Sequence, residues 1–435
     1  MTPQEHPYSA IENQPIIHRA PWVVADVSSE IYGNTRGIIE DGAVFISKGF
    51  IQAVGKYKDI IKEFSGFPVQ EHECRVLAPA LINSHCHLEL SYLDLAEPGK
   101  KQSTYTHDPT LWIRDLLKSR DSFSLITPDA EKQILNHARR ALEFMSAEGV
   151  GFVGDIGNSL ASRLIGQGQS AKVFFLLELL GMTKESEAQS LARLEKLFSD
   201  DSLNISCTAH APYSTTPVLM QKIKNVADRQ GHVFSIHAAE SRQEVEFLQT
   251  GTGHFLEFLH ERGGWDNSFT APGMGSVHYL ESLGVLNDRT LCVHVVHVDH
   301  EEIEILASRK VKICLCPGSN RFLGSGKAPV TEFLAHGILP ALGTDSKGSN
   351  AVLSIWREMS LLREDHPGLS PETVLSMATR GGAEAWGVDS EMGTLDPGKQ
   401  AHILTVDCQD NITSRQDVVE YMTTVGESVQ VEWLK

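Results

Sequence analysis

The chain has 435 residues, of which 41% are hydrophobic and 22% are charged. This composition is that of a folded protein with room for a large core, and it excludes an intrinsically disordered chain. Its 38 basic and 56 acidic residues give a net charge of −18, which repels phosphate backbones, so we expect neither nucleic acid nor anionic membrane as a partner.

The cysteine pattern and the hydropathy of the chain bear on its location. Seven cysteines are scattered along the sequence. An odd, dispersed set is typical of reduced thiols in a cytoplasmic protein. Residues 1–20 do not form a secretion signal, and no run of about 18 apolar residues occurs. We therefore expect a cytoplasmic protein without a membrane span.

Both ends of the chain have β-type patterns. Residues 1–77 contain short apolar runs, and the Ser47-Lys48-Gly49 break between two alternating runs predicts a hairpin turn. After residue 388 the pattern returns, with a Pro397-Gly398 turn and a strand at 403–406. We predict that residues 1–77 and 388–435 form one small β-sandwich domain.

The middle of the chain, residues 78–387, alternates short apolar strands with helical stretches, which is typical of parallel α/β architecture. Helical periodicity appears, for example, at 129–145, 187–198 and 218–229. Eight strand candidates lie at 81–87, 151–156, 172–180, 203–212, 233–240, 291–298, 312–317 and 339–345. Eight such units predict a (β/α)₈ TIM barrel, in which catalytic groups lie at the C-terminal ends of the strands.

The first of these strands ends in two histidines, His85 and His87. Residues two apart on a strand point to the same side, so both rings face one place. Neutral imidazole is a common ligand of divalent metals. A lone His-x-His pair fits two structural histidines equally well, and the other strand ends must decide between the two interpretations.

Three later strands end in the same kind of residue: His237 and Glu240, His294, and Asp345. Polar groups at apolar strand ends are costly to bury without a partner, and a shared metal is one such partner. His85, His87, His237 and Asp345 would leave an open coordination position, as a catalytic site requires. Glu240 is then placed to pass protons to the substrate, and His294 to hydrogen-bond the attacking water.

Together, His85-x-His87, His237-x-x-Glu240, His294 and Gly343-Thr344-Asp345 resemble the amidohydrolase superfamily, in particular its aminohydrolases and chlorohydrolases. The resemblance implies one Zn²⁺ or, alternatively, Fe²⁺ bound by His85, His87, His237 and Asp345. It implies catalytic roles for Glu240, His294 and Asp345. Strand four, 203–212, has no lysine of the kind that bridges two metals, which favours a single ion.

The resemblance also suggests residues that contact the substrate. His210 resembles the substrate-contacting histidine of the family, and Cys316-Pro-Gly-Ser-Asn320 resembles its Pro-x-Ser-Asn motif. Trp112 follows the polar stretch 97–110, which could cover the pocket. An ordinary helix anchor is an equally good interpretation of Trp112.

We therefore predict a hydrolytic deaminase of an amino-heterocycle or adenine-type nucleoside, a small-molecule substrate. Residues 85–91, 208–213 and 316–323 are similar to members that act on aminofutalosine, the preferred substrate. The alternatives are deamination of S-adenosylhomocysteine or methylthioadenosine, guanine or cytosine, and triazine dechlorination. A catalytically dead binding module is the rival from another class, and it would lack a ligand or Glu240. The oligomeric state is open, with a homodimer among the candidates.

Overall fold

The structure is a computed structural model that describes residues 14–27, 37–96, 105–198, 205–408 and 412–434. Its strands are β1 (Ile16–Val24), β2 (Ile38–Ser47), β3 (Phe50–Lys56), β4 (Val69–Glu71), β5 (Arg75–Pro79), β6 (Leu81–Cys86), β7 (Val150–Gly157), β8 (Lys172–Leu179), β9 (Ser206–Ala209), β10 (Phe234–Ala238), β11 (Thr290–His294), β12 (Lys312–Leu315), β13 (Ala341–Leu342), β14 (Ile403–Asp407) and β15 (Val431–Trp433).

The α-helices of the same residues are α1 (Tyr57–Glu63), α2 (Pro109–Ile126), α3 (Ala130–Ala147), α4 (Lys184–Phe198), α5 (Pro217–Gln230), α6 (Arg242–Thr250), α7 (His254–Glu261), α8 (Ser276–Ser282), α9 (His300–Ser308), α10 (Pro317–Leu323), α11 (Val330–Ala335), α12 (Ile355–Asp365), α13 (Pro371–Ser376), α14 (Gly382–Trp386) and α15 (Arg415–Thr424). Among these residues, no helix is both long and apolar enough to cross a bilayer.

Strands β6–β9 and β10–β13 form two four-stranded parallel sheets, each in chain order. Hydrogen bonds join the sheets at both seams. The His237 N–H donates to the His210 carbonyl over 3.0 Å, and the Thr344 and Asp345 N–H groups both donate to the His85 carbonyl over 3.0 Å. The eight strands thus close into a ring with helices around it, which confirms the predicted α/β class and (β/α)₈ barrel.

A separate sheet combines both ends of the described chain, in the order β15-β14-β5-β1-β2-β3 with β4 on β1. β14 pairs antiparallel with β5 over five residues. The predicted hairpin turn joins β2 to β3, and Lys48 and Gly49 in it have φ of 53° and 77°. Continuous hydrogen bonding joins all strands of this sheet, whereas a β-sandwich, as predicted, consists of two sheets. Because β5 runs across residues 77 and 78, the division of the chain into domains at that point stays a prediction.

The predicted barrel strands match the observed ones, with differences at their ends. β9 begins at Ser206, whereas the prediction began at 203, which lies outside the described residues. β13 is only two residues long, although residues 339–345 were predicted; beyond it Asp345 still forms an isolated parallel bridge with Cys86. The predicted helices appear as α3, α4 and α5, the last with Pro217 in its first turn and the Thr216 hydroxyl as its cap.

Candidate active site

Four of the predicted site residues converge at one end of the barrel. His85 is the penultimate residue of β6 and His87 directly follows that strand, His237 lies on β10, and Asp345 follows β13. One potential ligand atom from each lies within 4.8 Å of all the others. We call these residues the four-residue cluster.

The distances within the cluster suit a single ion. His85 Nε2 lies 3.1 Å from His237 Nε2, and Asp345 Oδ1 lies 3.7 Å from His85 Nε2 and 3.5 Å from His87 Nε2. Donor atoms that bind one zinc at about 2.0–2.2 Å are separated by roughly 3–4 Å. His237 Nδ1 lies 3.0 Å from the His210 carbonyl oxygen, which fixes the proton there and leaves the Nε2 lone pair toward His85.

The protonation states of the cluster agree with cation binding. Burial lowers the pKa of His85 to about 4 and holds the pKa of His237 well below its usual range, so both rings are neutral. Burial opposes ionisation of Asp345, but its interaction with His85 and the electrostatic influence of His87 and His294 hold its pKa well below the usual value. Two lone pairs and a carboxylate therefore face one point, which is the donor set of a divalent metal.

The Asp345 carboxylate is held in place by two hydroxyls: Ser319 lies in the Pro-x-Ser-Asn motif without a role assigned to it, and Ser349 was not identified from the sequence. Ser319 and Ser349 both donate to Asp345 Oδ2, over 2.7 Å and 2.6 Å. Because Oδ2 is used in this way, Oδ1 is the oxygen turned toward the imidazoles. Such partners orient ligands in metal sites, but a serine is too common a residue to give a sequence signal.

Glu240 and His294 lie together beside the cluster. His294 Nε2 is 3.7 Å from Glu240 Oε1, and the Glu240 side chain is 18% exposed. Burial raises the pKa of Glu240, which brings its proton affinity closer to that needed of a general acid/base near neutral pH. Asn320 does not line the cavity described below. Its Oδ1 lies 2.9 Å from His294 Nδ1, so its observed contact is with His294, and its predicted contact with substrate stays a prediction.

The backbone at these strand ends is strained. Ala239, His294 and Asp345 have φ of 52°, 72° and 56°, in the left-handed region that side chains disfavour. Hydrogen bonds hold two of them: the Ala239 N–H donates to Glu244 over 2.8 Å, and the Asp345 N–H to the His85 carbonyl. Strain of this kind is common at functional sites, and here it occurs at His294 and Asp345 and at Ala239, which directly precedes Glu240.

A cavity of about 380 Å³ opens onto the cluster. Two of the predicted substrate contacts line it, His210 and Trp112, and the Trp112 indole N–H donates to the Gly348 carbonyl over 2.8 Å. The stretch 97–110 was predicted to cover the pocket, and its residues 97–104 lie outside the described residues. Helix α2 forms one wall of the cavity, and the other lining residues include Leu90, Leu116, Asn158, Glu178, Leu180, Met182, Phe258 and Arg262.

Glu178 is a lining residue that the sequence analysis missed. It lies near the end of β8, where a carboxylate follows an apolar run in the same way as the ligands follow theirs. Its position at a strand end was the feature of the sequence that could have identified it. The resemblance assigned roles to histidines, to Asp345 and to Glu240, but none to Glu178.

The comparisons with known proteins agree with this geometry. Residues 76–430 match the amidohydrolase family, and the chain belongs to that family. It is 28% identical over 408 residues to a 5-methylthioadenosine/S-adenosylhomocysteine deaminase of Pelotomaculum thermopropionicum, covering 91% of this chain and 87% of the relative. It is 27% identical over 391 residues to an aminodeoxyfutalosine deaminase of Nitratiruptor, covering 88% of this chain and 91% of the relative.

Among solved structures, an adenosine deaminase from Xanthomonas campestris with bound zinc superimposes with a TM-score of 0.71 at 22% identity, covering 94% of this chain and 88% of that one. At this identity the likeness concerns the fold. Together the findings confirm the predicted family and the predicted class of enzyme, a hydrolase acting on carbon–nitrogen bonds.

Proposed function

We propose that this protein is a hydrolytic deaminase of adenine-type nucleosides that uses one divalent metal ion. The observation that carries the proposal is the convergence of three imidazoles and one carboxylate at the floor of a cavity, with Glu240 and His294 beside them. His85, His87, His237 and Asp345 would hold the ion. Zn²⁺ suits this donor set, and Fe²⁺ is the alternative. When bound, the ion supplies the Lewis acidity that activates water for attack at neutral pH.

Glu240 supplies the proton transfers that the reaction needs. Displacing an amine from an electron-poor ring requires a proton on the ring nitrogen and another on the leaving ammonia. Glu240 has a raised pKa and faces the cavity 3.7 Å from His294, so it can carry protons between water and substrate. His294, fixed by Asn320, hydrogen-bonds the attacking oxygen as charge develops on it.

The cavity favours a nucleoside over a free base. Besides residues of the cluster, Leu116, Met182, Phe258 and Arg262 line it, and about 380 Å³ is within the range of pockets that enclose whole small molecules. The two relatives described above are a 5-methylthioadenosine/S-adenosylhomocysteine deaminase and an aminodeoxyfutalosine deaminase. We take aminodeoxyfutalosine as the first substrate to test, with methylthioadenosine and S-adenosylhomocysteine as the second candidates.

A screen for ammonia release tests the proposal. The purified protein is assayed with aminodeoxyfutalosine, methylthioadenosine, S-adenosylhomocysteine, 5′-deoxyadenosine, guanine and cytosine, and chloride release from atrazine is measured in parallel. We expect deamination of at least one adenine nucleoside with kcat/KM well above that for the free bases. Turnover of guanine, cytosine or atrazine alone would replace the proposal with one of its rivals.

Metal content separates an enzyme from a dead relative. We expect about one zinc or iron per chain after purification, because three imidazole nitrogens and one carboxylate oxygen converge within 4.8 Å of one another. A protein that contains no such ion and releases no ammonia would instead be a binding module. Size-exclusion chromatography with light scattering in the same preparation tests whether the protein forms a homodimer, one of the candidate states.

A further inference from the structure

Glu178 has a carboxylate oxygen that nothing in the described protein satisfies. The residue is only 5% exposed, and its Oε2 accepts a hydrogen bond from Asn158 Nδ2 over 2.9 Å. Its Oε1 is buried and has no hydrogen-bond partner among the described residues. Both Glu178 and Asn158 line the cavity beside the four-residue cluster.

A neighbouring carboxylate shows that this arrangement is not imposed by the fold. Glu89 lies nearby and is buried to a similar degree, but it accepts hydrogen bonds from the N–H groups of Asn158 and Ser159 and from the Ser162 hydroxyl. Burying an acceptor without a donor is energetically costly, and more so when the acceptor is charged. The free oxygen of Glu178 therefore points to a donor that arrives from outside the chain.

His210 provides a second polar group at the same place. Its Nδ1 lies 2.6 Å from the Ser214 hydroxyl, which leaves Nε2 as the ring nitrogen available to a ligand. A Glu178 carboxylate oxygen, a His210 nitrogen and a His237 nitrogen lie within 4.8 Å of one another. The acceptor and the imidazole can thus be reached by adjacent groups of one ligand.

We propose that Glu178 and His210 bind the two neighbouring hydroxyls of the substrate's ribose, with Asn158 holding the Glu178 carboxylate in position. The inference rests on the proposed function, and it adds the sugar to the recognised parts of the substrate. A carboxylate accepts hydrogen bonds only, so it pairs with hydroxyl donors and repels the lone pairs of the adenine ring nitrogens. A second metal ion at this place lacks ligands, since His237 Nδ1 binds the His210 carbonyl and His237 Nε2 faces His85.

The test compares methylthioadenosine with its 2′-deoxy and 3′-deoxy analogues on the metal-loaded enzyme. A hydrogen bond to a charged group contributes about 1.5–3 kcal/mol, so removing the hydroxyl bound by Glu178 should lower kcat/KM roughly 10- to 100-fold. In Glu178→Ala, kcat/KM for methylthioadenosine should fall by a similar factor. The variant should then react with the parent and with that analogue at rates within about 3-fold of each other.

A control variant and a second measurement keep the outcomes distinct. Glu185→Ala removes an exposed carboxylate at the start of α4 and should leave all three rates unchanged. Binding of the three nucleosides to the metal-loaded Glu240→Gln variant, measured by calorimetry, reports on the sugar contacts without turnover. If Glu240→Gln binds, and wild type deaminates, the parent and both analogues equally, the ribose subsite is overturned while the proposed function stands. If no adenine nucleoside is deaminated or bound, both proposals fail. If wild type binds a second equivalent of metal and Glu178→Ala loses it, Glu178 is a metal ligand and the ribose subsite is also overturned.

Discussion

The carboxylate of Glu244 holds the backbone of Glu240, with Oε2 accepting a hydrogen bond from the Glu240 N–H over 3.0 Å. Its Oε1 accepts from the Ala239 N–H and the Ser276 hydroxyl, over 2.8 Å and 2.7 Å. Glu244 is fully buried and lies in the first turn of α6, so it fixes the left-handed turn that leads to Glu240. The position of the proposed proton carrier thus depends on a second glutamate that does not line the cavity.

Replacing Glu244 should therefore impair catalysis without removing the metal. Glu244→Ala leaves two backbone N–H groups without acceptors, and we expect kcat to fall about 10- to 100-fold while KM changes little. Steady-state kinetics and metal analysis measure both effects. Glu246→Ala, an exposed residue on the same helix, is the control. If kcat in Glu244→Ala stays at the wild-type level, the hydrogen bonds to residues 239 and 240 have no role in positioning Glu240.

Glu240→Gln should abolish proton transfer and preserve the site. The amide has the same shape but does not titrate, so we expect kcat to fall roughly 10²- to 10⁴-fold. Metal content should stay at the wild-type value because Glu240 is not one of the four proposed ligands. Wild-type turnover in this variant would refute the role assigned to Glu240.

Removing the metal should lower both activity and thermal stability. The cluster joins β6, β10 and β13, and ligand binding to the folded state alone stabilises that state by mass action. After treatment with a chelator we expect a lower Tm, and added Zn²⁺ or Fe²⁺ should restore it.

Another group able to bind a metal lies largely on the surface and consists of His300, Glu304 and His336. His300→Ala should therefore remove adventitious zinc while activity is retained; loss of activity in that variant would contradict the assignment of the catalytic ion.

Arg262 should discriminate between substrates at the outer end of the cavity. It lines the cavity, and no described carboxylate forms an ion pair with its guanidinium. S-adenosylhomocysteine carries a carboxylate and methylthioadenosine does not. Because Arg262 is exposed, we expect Arg262→Ala to raise KM for S-adenosylhomocysteine only about 3- to 10-fold and to spare methylthioadenosine. Arg229→Ala, on the distant surface of α5, is the matched control. Equal effects on the two nucleosides would exclude charge recognition by Arg262.

Glu148 should make the stability of the protein depend on pH. Burial raises its pKa to about 7, against an opposing hydrogen bond with Ser354 and with a further rise from the charge of Glu427. Its pKa in the unfolded chain is about 4.3. The folded state therefore binds this proton more tightly, and the associated stability, complete below pH 4.3, is lost as pH rises through about 7.

Glu148→Gln stays neutral and should remove that loss. We expect the Tm of the variant minus the Tm of wild type to be roughly 1–3 °C larger at pH 8 than at pH 5. Scanning calorimetry of both proteins at both pH values measures this difference. Glu143→Gln, an exposed position on the same helix, should not change the pH dependence. A Tm difference between Glu148→Gln and wild type that is the same at both pH values would contradict the raised pKa.

The sequence predicted the barrel and the convergence of the site because both follow from patterns along the chain. Apolar runs predicted each barrel strand, and the parallel arrangement then brought the residues at the strand ends to one rim. His85, His237 and Asp345 were found in this way. The prediction did not give the exact strand ends, such as the two-residue β13, because the left-handed turns that carry His294 and Asp345 have no local signal.

The residues that orient the site could not be predicted for a related reason. Ser319, Ser349 and Glu244 act through contacts made only in the folded chain, and hydroxyls and carboxylates occur everywhere in a soluble protein. Asn320 came from the resemblance, which gave the residue but not its contact with His294. The continuous sheet of the chain ends was predicted as a sandwich because strand patterns indicate β structure without showing which edges pair.

The pairing of β5 with β14 fixes an order of events during synthesis. β5 emerges from the ribosome before any barrel strand, but its antiparallel partner begins at Ile403, after the last of them. Until then β5 has one side without its partner, and an open strand edge of this kind recruits other chains. Chains released after Asp345 but before Ile403 should therefore be prone to aggregate, even though each already contains every residue of the proposed metal site.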